Sequence, residues 1–490
     1  MRRAGILLHL SSLPSPYGIG TLGQEARDLA DFLQAAGQRV WQLLPIGPTG
    51  YGDSPYQPRS AFAGNPYLID LPTLEADGLL SAQEYRDTDW ESAPGDICYG
   101  ALYQKRLPLL DKAARRLLTA PPEDYAAFCA ENAFWLPDYA RFAVLKDLHG
   151  GAPWQSWEEP LRRRDPAAME AFSARHRDDI ARQEAIQYLF FRQYRALKDY
   201  VNRRGVSILG DLPIYAAEDS ADVWARPQLF QLDPDLRPFA VAGCPPDAFS
   251  PDGQLWGNPL FDWGSMAADG FAWWKARLAH HKRLADLLRI DHFRGLSSYF
   301  SIPAGAPPRE GRWLPGPGME LIRALQAGPG TGGVIAEDLG HLDEAVYALL
   351  RESGLPGMKV LQFAFSPREE SSYLPHRYGR GCVVYTGTHD NDTALGWYAA
   401  AEEGERAKAR AYLGLNEEEG IAWGLMRGAW SSVADLAIVP MQDVLSLGSE
   451  ARMNTPGTSG GNWRWRLLPG QLTPELARRL HRQMELFGRI

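Results

Sequence analysis

The sequence lacks the features expected of a secreted, disulfide-bonded or membrane-spanning protein. Its 490 residues include four cysteines, which are widely spaced and form no CxxC pair, so neither a disulfide framework nor a zinc site is expected. No stretch approaches the roughly 20 apolar residues that a membrane span needs. The apolar run after Arg2 and Arg3 is short for a signal peptide and lacks a clear cleavage site. We therefore predict a cytoplasmic protein.

An excess of basic charge is also absent. Lys and Arg together number 51 against 60 Asp and Glu, which gives a formal net charge of -9. Proteins that bind nucleic acid or anionic membranes usually present a basic surface, so neither partner is expected. There is no internal repeat or low-complexity tract, and the 45% of hydrophobic residues predict a folded globular protein. The oligomeric state is left open by these features.

Eight short apolar runs are spread along the chain. Because they lack the polar alternation of half-exposed strands, they predict buried parallel strands. The runs are residues 4–10, 40–46, 206–214, 285–291, 333–339, 357–365, 382–390 and 435–445. Helical patterns fall between them, so eight β-then-α units predict a (β/α)8 TIM barrel of the α/β class over residues 1–490. A doubly wound open sheet is the alternative.

Two connections are too long to be simple crossovers. Residues 47–205 contain amphipathic helical stretches and predict a mainly helical insertion, whereas residues 215–284, rich in Pro, Gly, Asp and Trp, predict a loop-rich one. Both leave from the carboxyl ends of strands, where barrels build their active sites. We expect them to be subdomains that form the walls of a cleft and not independent domains.

Aromatic residues are unusually frequent, with 16 Trp, 20 Tyr and 18 Phe. Many lie in segments rich in Gly and Pro, such as GYGDSPYQ and GGNWRWR, and not on periodic helices. Aromatic side chains in loops are typical of a binding surface, and flat sugar rings are suitable partners for them. Packing that anchors the loops is the alternative interpretation.

Acidic residues stand at the ends of three predicted strands, namely Asp291, Glu337 and Asp390. Arg289 shares a strand face with Asp291, and we expect it to lower the pKa of that carboxyl, as a carboxylate nucleophile requires. Glu337 is expected to have a raised pKa, because it is partly desolvated near other carboxylates, and therefore to suit a general acid. Taken singly, each acid has a structural explanation as an ion pair, a helix cap or a turn.

Three acids at the tops of three strands together predict cleavage of a glycosidic bond. Cleavage with retention needs one carboxylate to attack the sugar and another to protonate the leaving oxygen, with the two carboxyl groups roughly 5–5.5 Å apart. Proton transfer and carboxylate attack are sufficient for this exchange, and no cluster of residues has metal-ligand spacing. We therefore expect neither a metal nor an organic cofactor.

Two motifs are typical of other functions. Gly18, Gly20 and Gly23 match the GxGxxG of dinucleotide-binding proteins, but the segment SSLPSPY separates them from the strand, and the next strand lacks the ribose-binding acid. The DND at 390–392 resembles the DxD of metal-dependent glycosyltransferases, which use open nucleotide-binding folds and not a barrel. A glucan-binding scaffold without catalysis would not need the three acids.

A series of ordered motifs resembles the 4-α-glucanotransferases (amylomaltase and the bacterial disproportionating enzyme), relatives of the α-amylase clan. The motifs are HLSSLPSPYGIGTLG, GYGDSPYQ, FAGNPYLID, GDLPIY, PPDAFSPDGQLWGNP, RIDHFRG, AEDLG, GMKVLQF, GTHDNDT and RMNTPGTSGGNWRWR. The resemblance implies transfer of an α-1,4-linked segment from a donor glucan to the 4-hydroxyl of a maltooligosaccharide or glucose. Whether cyclic glucans are also formed is left open. A hydrolase with the same carboxylates is the alternative.

The resemblance also implies roles for individual residues. Asp291 is the implied nucleophile, Glu337 the acid/base and Asp390 the stabiliser of the distorted donor sugar. The other matched positions are implied to bind substrate or orient the nucleophile; they are Tyr56, Ser54, Asp211, Trp256, Arg289, His292, Phe363, His389 and Asn462. The chain departs from the family at Ala248, where relatives often carry an aromatic before Phe249. That segment borders the acceptor side, so acceptor affinity and product size are left open.

Overall fold

The computed structural model describes residues 2–50, 52–246, 252–340, 342–368, 371–458 and 460–490. Within these ranges the strands are β1 Arg3–Leu7, β2 Val40–Gln42, β3 Ser207–Leu212, β4 Ala240–Cys244, β5 Gln254–Pro259, β6 Leu287–Ile290, β7 Ser298–Pro303, β8 Arg312–Pro315, β9 Val334–Ala336, β10 Gly357–Val360, β11 Cys382–Tyr385 and β12 Leu436–Pro440. They form one eight-stranded sheet in the order β10-β11-β12-β1-β2-β3-β6-β9 and one four-stranded sheet in the order β5-β4-β7-β8.

The eight-stranded sheet is parallel and closes into a barrel. All of its neighbouring strands pair in parallel, including the last strand β12 with the first strand β1. Between the two ends of the strand order, the Ala336 N–H donates to the Pro356 carbonyl at 2.9 Å. The predicted (β/α)8 barrel is therefore confirmed, and each of the eight apolar runs overlaps one barrel strand. The open-sheet alternative is excluded, because the bond from Ala336 to Pro356 joins the two ends of the strand order.

Side chains of the barrel strands are buried on both faces. On β11, Val383 and Tyr385 belong to the hydrophobic cluster inside the barrel, whereas Val384 packs with the outer layer. Burial on both faces explains why the runs lack polar alternation. Gly5 on β1 is required by close packing, because a Cβ there would lie 2.4 Å from the Val40 carbonyl oxygen.

The described α-helices surround the barrel and build its insertions. They are α1 Gln24–Ala35, α2 Leu71–Ala76, α3 Tyr99–Ala101, α4 Leu107–Thr119, α5 Tyr125–Glu131, α6 Leu136–Leu148, α7 Glu159–Arg162, α8 Pro166–Arg175, α9 Arg177–Arg203, α10 Ala221–Ala225, α11 Trp263–Ala268, α12 Ala272–Leu284, α13 Arg294–Ser297, α14 Gly318–Ala327, α15 Glu344–Ser353, α16 Ala394–Ala400, α17 Glu403–Leu413, α18 Ile421–Ser431, α19 Met441–Val444 and α20 Pro474–Phe487. None of these helices combines the length and the hydropathy needed to cross a membrane.

Local sequence signals set the ends of the helices. Before α15, the Asp343 side chain accepts a hydrogen bond from the Val346 N–H, and Gly354 ends the helix in a left-handed conformation with φ 68°. The connection after β10 departs from the ideal barrel: its described residues form short 3₁₀ turns at Leu361–Ala364 and Pro375–Arg377 and no α-helix. Among the described residues, the return from β10 to the start of β11 is therefore made without a crossover α-helix.

The two long connections have different architectures. The connection between β2 and β3 carries the helices α2 to α9. In the second connection, β4 and β5 form an antiparallel sheet with β7 and β8, which follow β6. This sheet is not predictable from the sequence, because its strands are short, contain Gly and Pro, and pair with residues beyond the next barrel strand. Ala248 and Phe249 lie outside the described residues.

Candidate active site

An arginine at the carboxyl end of the barrel forms the floor of the site. Nη1 of Arg289 donates to both carboxylate oxygens of Asp211 at 2.8 Å and lies 2.9 Å from Oδ1 of Asp291. Asp211 and Arg289 are partners in the β3–β6 register, so the sheet itself brings them together. The Asp211 side chain is fully buried, whereas that of Asp291 is 25% exposed. Of these two carboxylates, Asp291 is the one that reaches the solvent.

Backbone donors hold the carboxylate of Glu337, which follows β9. The N–H of His292 donates to Oε2 at 2.6 Å, and the N–H of Leu339 donates to Oε1 at 3.0 Å. Because His292 directly follows Asp291 in the chain, the first bond places Glu337 beside Asp291. His292 adopts a left-handed conformation with φ 50°, which costs about 1–3 kcal/mol for a residue other than glycine. Such strain is typical of functional sites.

Residues from two loops fix the third carboxylate, Asp390. Its Oδ2 lies 3.2 Å from Nε2 of His389, and Nδ2 of Asn454 donates to its Oδ1 at 2.6 Å. Arg452 donates to the Asp390 carbonyl, also at 2.6 Å. Arg452 and Asn454 are not among the site residues predicted from the sequence. The feature that could have identified them is their position: both are polar residues of the segment RMNTPG, which follows the last barrel strand.

The three carboxyl groups have different proton affinities. Burial raises the pKa of Glu337 to about 7, in spite of Arg289 and with a further rise from the charge of Asp291. Burial also raises the pKa of Asp291 to about 6, which Arg289 only partly offsets. Burial favours the neutral form of Asp390 too, but His389 and the bond from Asn454 outweigh it and lower the pKa to about 2. Of the three, Glu337 therefore keeps its proton to the highest pH.

The expectation for Asp291 was wrong in its direction. The sequence predicts a pKa lowered by Arg289, but in the structure the pKa of Asp291 is raised. Desolvation by burial is the largest cause of the rise. Arg289 offsets it only in part, because it is shared with Asp211, whose own charge disfavours ionisation of Asp291. The raised pKa that was predicted for Glu337 is confirmed.

These pKa values predict a narrow pH optimum. In the roles that the sequence resemblance implies, Asp291 must lose its proton to attack and Glu337 must keep its proton to act as an acid. The rate should therefore rise with pH through about 6 and fall above about 7. The two limbs belong to the interacting pair and not to either residue alone. We expect a bell-shaped plot of kcat/KM for maltotriose between about pH 4 and pH 9. A plot that stays level from about pH 6 to pH 9 would contradict the acid role of Glu337.

One wall of the site is built from stacked aromatic rings. The hydroxyl of Tyr56 donates to Oδ2 of Asp211 at 2.8 Å, and its ring stacks on His389 with centroids 4.9 Å apart. Trp463 contacts both rings at 5.8 Å. Ser54 accepts a hydrogen bond from the Tyr56 N–H at 3.2 Å and so supports the turn that carries the tyrosine. Trp463 was not foreseen, although it lies in the GGNWRWR motif.

A second aromatic contact comes from the four-stranded sheet. Trp256 on β5 meets the ring of His292 edge-to-face, with centroids 4.8 Å apart. Among the described residues, Nε2 of His292 is buried and has no hydrogen-bond partner. Burial lowers the pKa of His292 to about 3, so the neutral ring is suited to bind a sugar hydroxyl. Gln57 and Asn258 exchange amide hydrogen bonds at 2.9 and 3.2 Å and tie β5 to the segment that carries Tyr56.

Two further predicted binding residues contact side chains and backbone of their own loops. Phe363, after β10, meets the ring of Tyr373 edge-to-face at 5.5 Å. Oδ1 of Asn462 accepts from the Thr455 N–H at 3.0 Å, and its amide donates to the Thr458 hydroxyl at 3.1 Å. Asn462 thus stabilises the turn that precedes Trp463. Their roles as sugar-binding residues, like that of Ser54, stay predictions.

The motifs typical of other functions have structural explanations. A Cβ at Gly20 would lie 2.0 Å from the Leu10 carbonyl oxygen, and one at Gly23 would lie 2.2 Å from Oδ1 of Asp70. These glycines therefore permit close packing. In the part of the chain that the structure describes, no group of three or more His, Cys, Asp or Glu side chains is arranged to hold a metal ion.

Known proteins resemble this chain over its whole length. The family model described as 4-alpha-glucanotransferase matches residues 8–472. A 4-alpha-glucanotransferase of Thermus thermophilus is 50% identical, with 100% of this chain and 99% of the relative covered. One of Clostridium butyricum is 44% identical, with 98% and 100% covered. The structure of an amylomaltase from Streptococcus agalactiae in complex with acarbose is 38% identical and superposes over 100% of both chains with a TM-score of 0.97. The likeness therefore includes the barrel and both insertions.

Proposed function

The chain belongs to the 4-alpha-glucanotransferase family, and we propose that Asp291, Glu337 and Asp390 carry its reaction. It is a glycosyltransferase that moves segments of α-1,4-glucans from a donor to an acceptor. The observation that carries the assignment is the pair formed by Asp291 and Glu337 at adjacent strand ends. One carboxylate of this pair is bonded to Arg289, and the other has its pKa raised to about 7.

The first half of the reaction breaks the donor bond. Ionised Asp291 attacks the anomeric carbon of the donor sugar, while Glu337 gives its proton to the glycosidic oxygen that leaves. The products are a glycosyl ester on Asp291 and a shortened glucan with a free 4-hydroxyl. Arg289 remains paired with Asp211 as the charge on Asp291 is consumed, so its own charge stays compensated.

The second half forms the new bond. Glu337, now ionised, removes the proton from the 4-hydroxyl of the acceptor, whose oxygen attacks the anomeric carbon and releases Asp291. Two inversions give net retention of the α-configuration. The number of glycosidic bonds is unchanged, and both carboxyl groups return to their starting protonation states.

Asp390 stays ionised through both halves. Its pKa of about 2 keeps a negative charge beside the sugar ring, where positive charge develops in the transition state. His389 pairs with the carboxylate of Asp390 and stacks on Tyr56. These contacts hold the carboxylate of Asp390 in place. The unpartnered Nε2 of His292 is assigned to a sugar hydroxyl.

The substrates follow from the same assignment. We assign an α-1,4-glucan as donor and a maltooligosaccharide or glucose as acceptor, with Tyr56 and Trp256 as stacking surfaces on two sides of the site. The proposed reaction uses no metal or organic cofactor. A cytoplasmic location agrees with this choice of substrates.

Transfer and hydrolysis are distinguished by the products from maltotriose. Transfer conserves the number of glycosidic bonds, so glucose and chains longer than maltotriose should appear together while total reducing ends stay nearly constant. Hydrolysis creates a new reducing end at every turnover. We would follow reducing ends and product lengths in one incubation. A rise in reducing ends that equals the glucose released, without longer chains, would identify a hydrolase.

A further inference from the structure

A buried carboxylate behind the active site bonds to both ends of the loop that carries Asp390. We define this loop, residues 386–394, as the β11 loop. Oδ2 of Asp443 accepts from the Thr386 hydroxyl at 2.6 Å, and Oδ1 accepts from the Ala394 N–H at 2.7 Å. Thr386 and Ala394 are the first and last residues of the loop. One side chain therefore closes the base of the loop.

The position of Asp443 makes these two bonds specific. Asp443 follows β12, the neighbour of β11 in the barrel, and is 1% exposed. A buried carboxylate is costly unless donors compensate it, and here both donors belong to the β11 loop. Asp443 is too deeply buried behind the loop to be a sugar-binding group, so its effect must pass through the loop.

Further side chains after β12 reinforce this attachment. The Ser449 hydroxyl donates to Oδ2 of Asp392 at 2.7 Å. Arg452 and Asn454 bond to the carbonyl and the carboxylate of Asp390. Asp443 differs from these three because it bonds to the ends of the β11 loop, whereas they bond to its middle. It therefore determines where the loop leaves and rejoins the barrel.

We infer that Asp443 is a positioning residue that fixes the β11 loop so that Asp390 meets the transition state. The inference rests on the proposed role of Asp390. Without the carboxylate, Thr386 and Ala394 lose a shared partner, and the loop between them can shift as a unit. A shift of about 1 Å at a catalytic group can cost about a hundredfold in rate. Binding of the substrate in its ground state should suffer less, because Asp390 acts mainly on the developing charge.

The test compares substitutions at Asp443 with a matched control. Asp443→Ala should lower kcat for maltotriose about a hundredfold and change KM less than about threefold. Asp443→Asn should restore kcat to within about fivefold of wild type, because its amide oxygen still accepts from Ala394 and the Thr386 hydroxyl can turn to accept from the amide.

Asp70→Ala is the control: this buried carboxylate likewise accepts from a threonine hydroxyl and a backbone N–H. It should lower Tm but leave kcat unchanged.

A double substitution separates positioning from general stability. In an Asp390→Asn background, Asp443→Ala should lower kcat less than about threefold further, because the group that it positions is already disabled. A full additional hundredfold loss would overturn the inference, as would an unchanged kcat in folded Asp443→Ala. Should Asp443→Ala not fold, Thr386→Val removes one of the two bonds and takes its place. Full activity of Asp390→Asn alone would instead refute the proposed role of Asp390.

Discussion

Replacement of Asp291 with asparagine should lower the turnover of maltotriose about ten-thousandfold or more, since substitution of a covalent nucleophile typically costs that much. The amide has nearly the same shape but cannot attack the anomeric carbon. Arg289 keeps both of its bonds to Asp211, so the floor of the site should stay folded. KM is expected to change far less than kcat. The measurement is a steady-state assay, together with a thermal unfolding curve for each protein.

A control shows that the loss in Asp291→Asn is chemical. Asp70→Asn also replaces a buried carboxylate with an amide, at the start of α2, and we expect it to keep the turnover of the wild type. If Asp291→Asn, folded and free of contaminating wild-type enzyme, kept more than about a tenth of wild-type turnover, Asp291 would not be the nucleophile.

The second large effect is expected for Glu337→Gln and depends on the leaving group of the donor. With maltotriose the loss should be about a thousandfold, since general acid catalysis contributes roughly a hundredfold to ten-thousandfold. With α-maltosyl fluoride, the first step should proceed at a rate much closer to that of the wild type. Fluoride leaves without a proton, so the missing acid is not needed in that step. Release of fluoride in a single turnover is the measurement.

The role of Glu337 is tested by comparing activity with maltotriose and with α-maltosyl fluoride. Asp291→Asn should be inactive with both donors, because the nucleophile is needed whatever the leaving group. If Glu337→Gln lost single-turnover fluoride release as severely as turnover of maltotriose, the role of Glu337 would not be that of an acid. The N–H groups of His292 and Leu339 donate to the two oxygens of Glu337. The single side-chain oxygen of glutamine can still accept one of these bonds, so the fold should persist.

The barrel was predictable from sequence because its strands are buried on both faces. A run such as 382–390 has no polar alternation, and this marks the strand even though β11 itself ends at Tyr385. The residues beyond the strand, including His389 and Asp390, continue the run but turn into the site. The sheet of β4, β5, β7 and β8 was not predictable. Its strands are short, and two of them precede barrel strand β6 in the chain whereas the other two follow it.

The catalytic acids were predictable from their places after strands, whereas their electrostatics were not. The raised pKa of Asp291 depends first on its burial and then on Asp211, a residue far earlier in the chain that shares Arg289. Asn454, which bonds to Asp390, and Asp443, which bonds to the ends of its loop, both follow β12, the neighbour of β11 in the barrel. Spacing along the chain carries no information on such contacts.

The most direct test of this account is to trap the covalent intermediate. Glu337→Gln supplied with α-maltosyl fluoride should form the glycosyl ester on Asp291 but resolve it slowly, because no base activates the acceptor. Rapid acid quenching, proteolysis and mass spectrometry should then find a maltosyl group on the peptide that contains Asp291. The same treatment of Asp291→Asn should leave that peptide unmodified. A maltosyl group on Asp390 or Asp211, or fluoride release with no adduct on any peptide, would contradict the account.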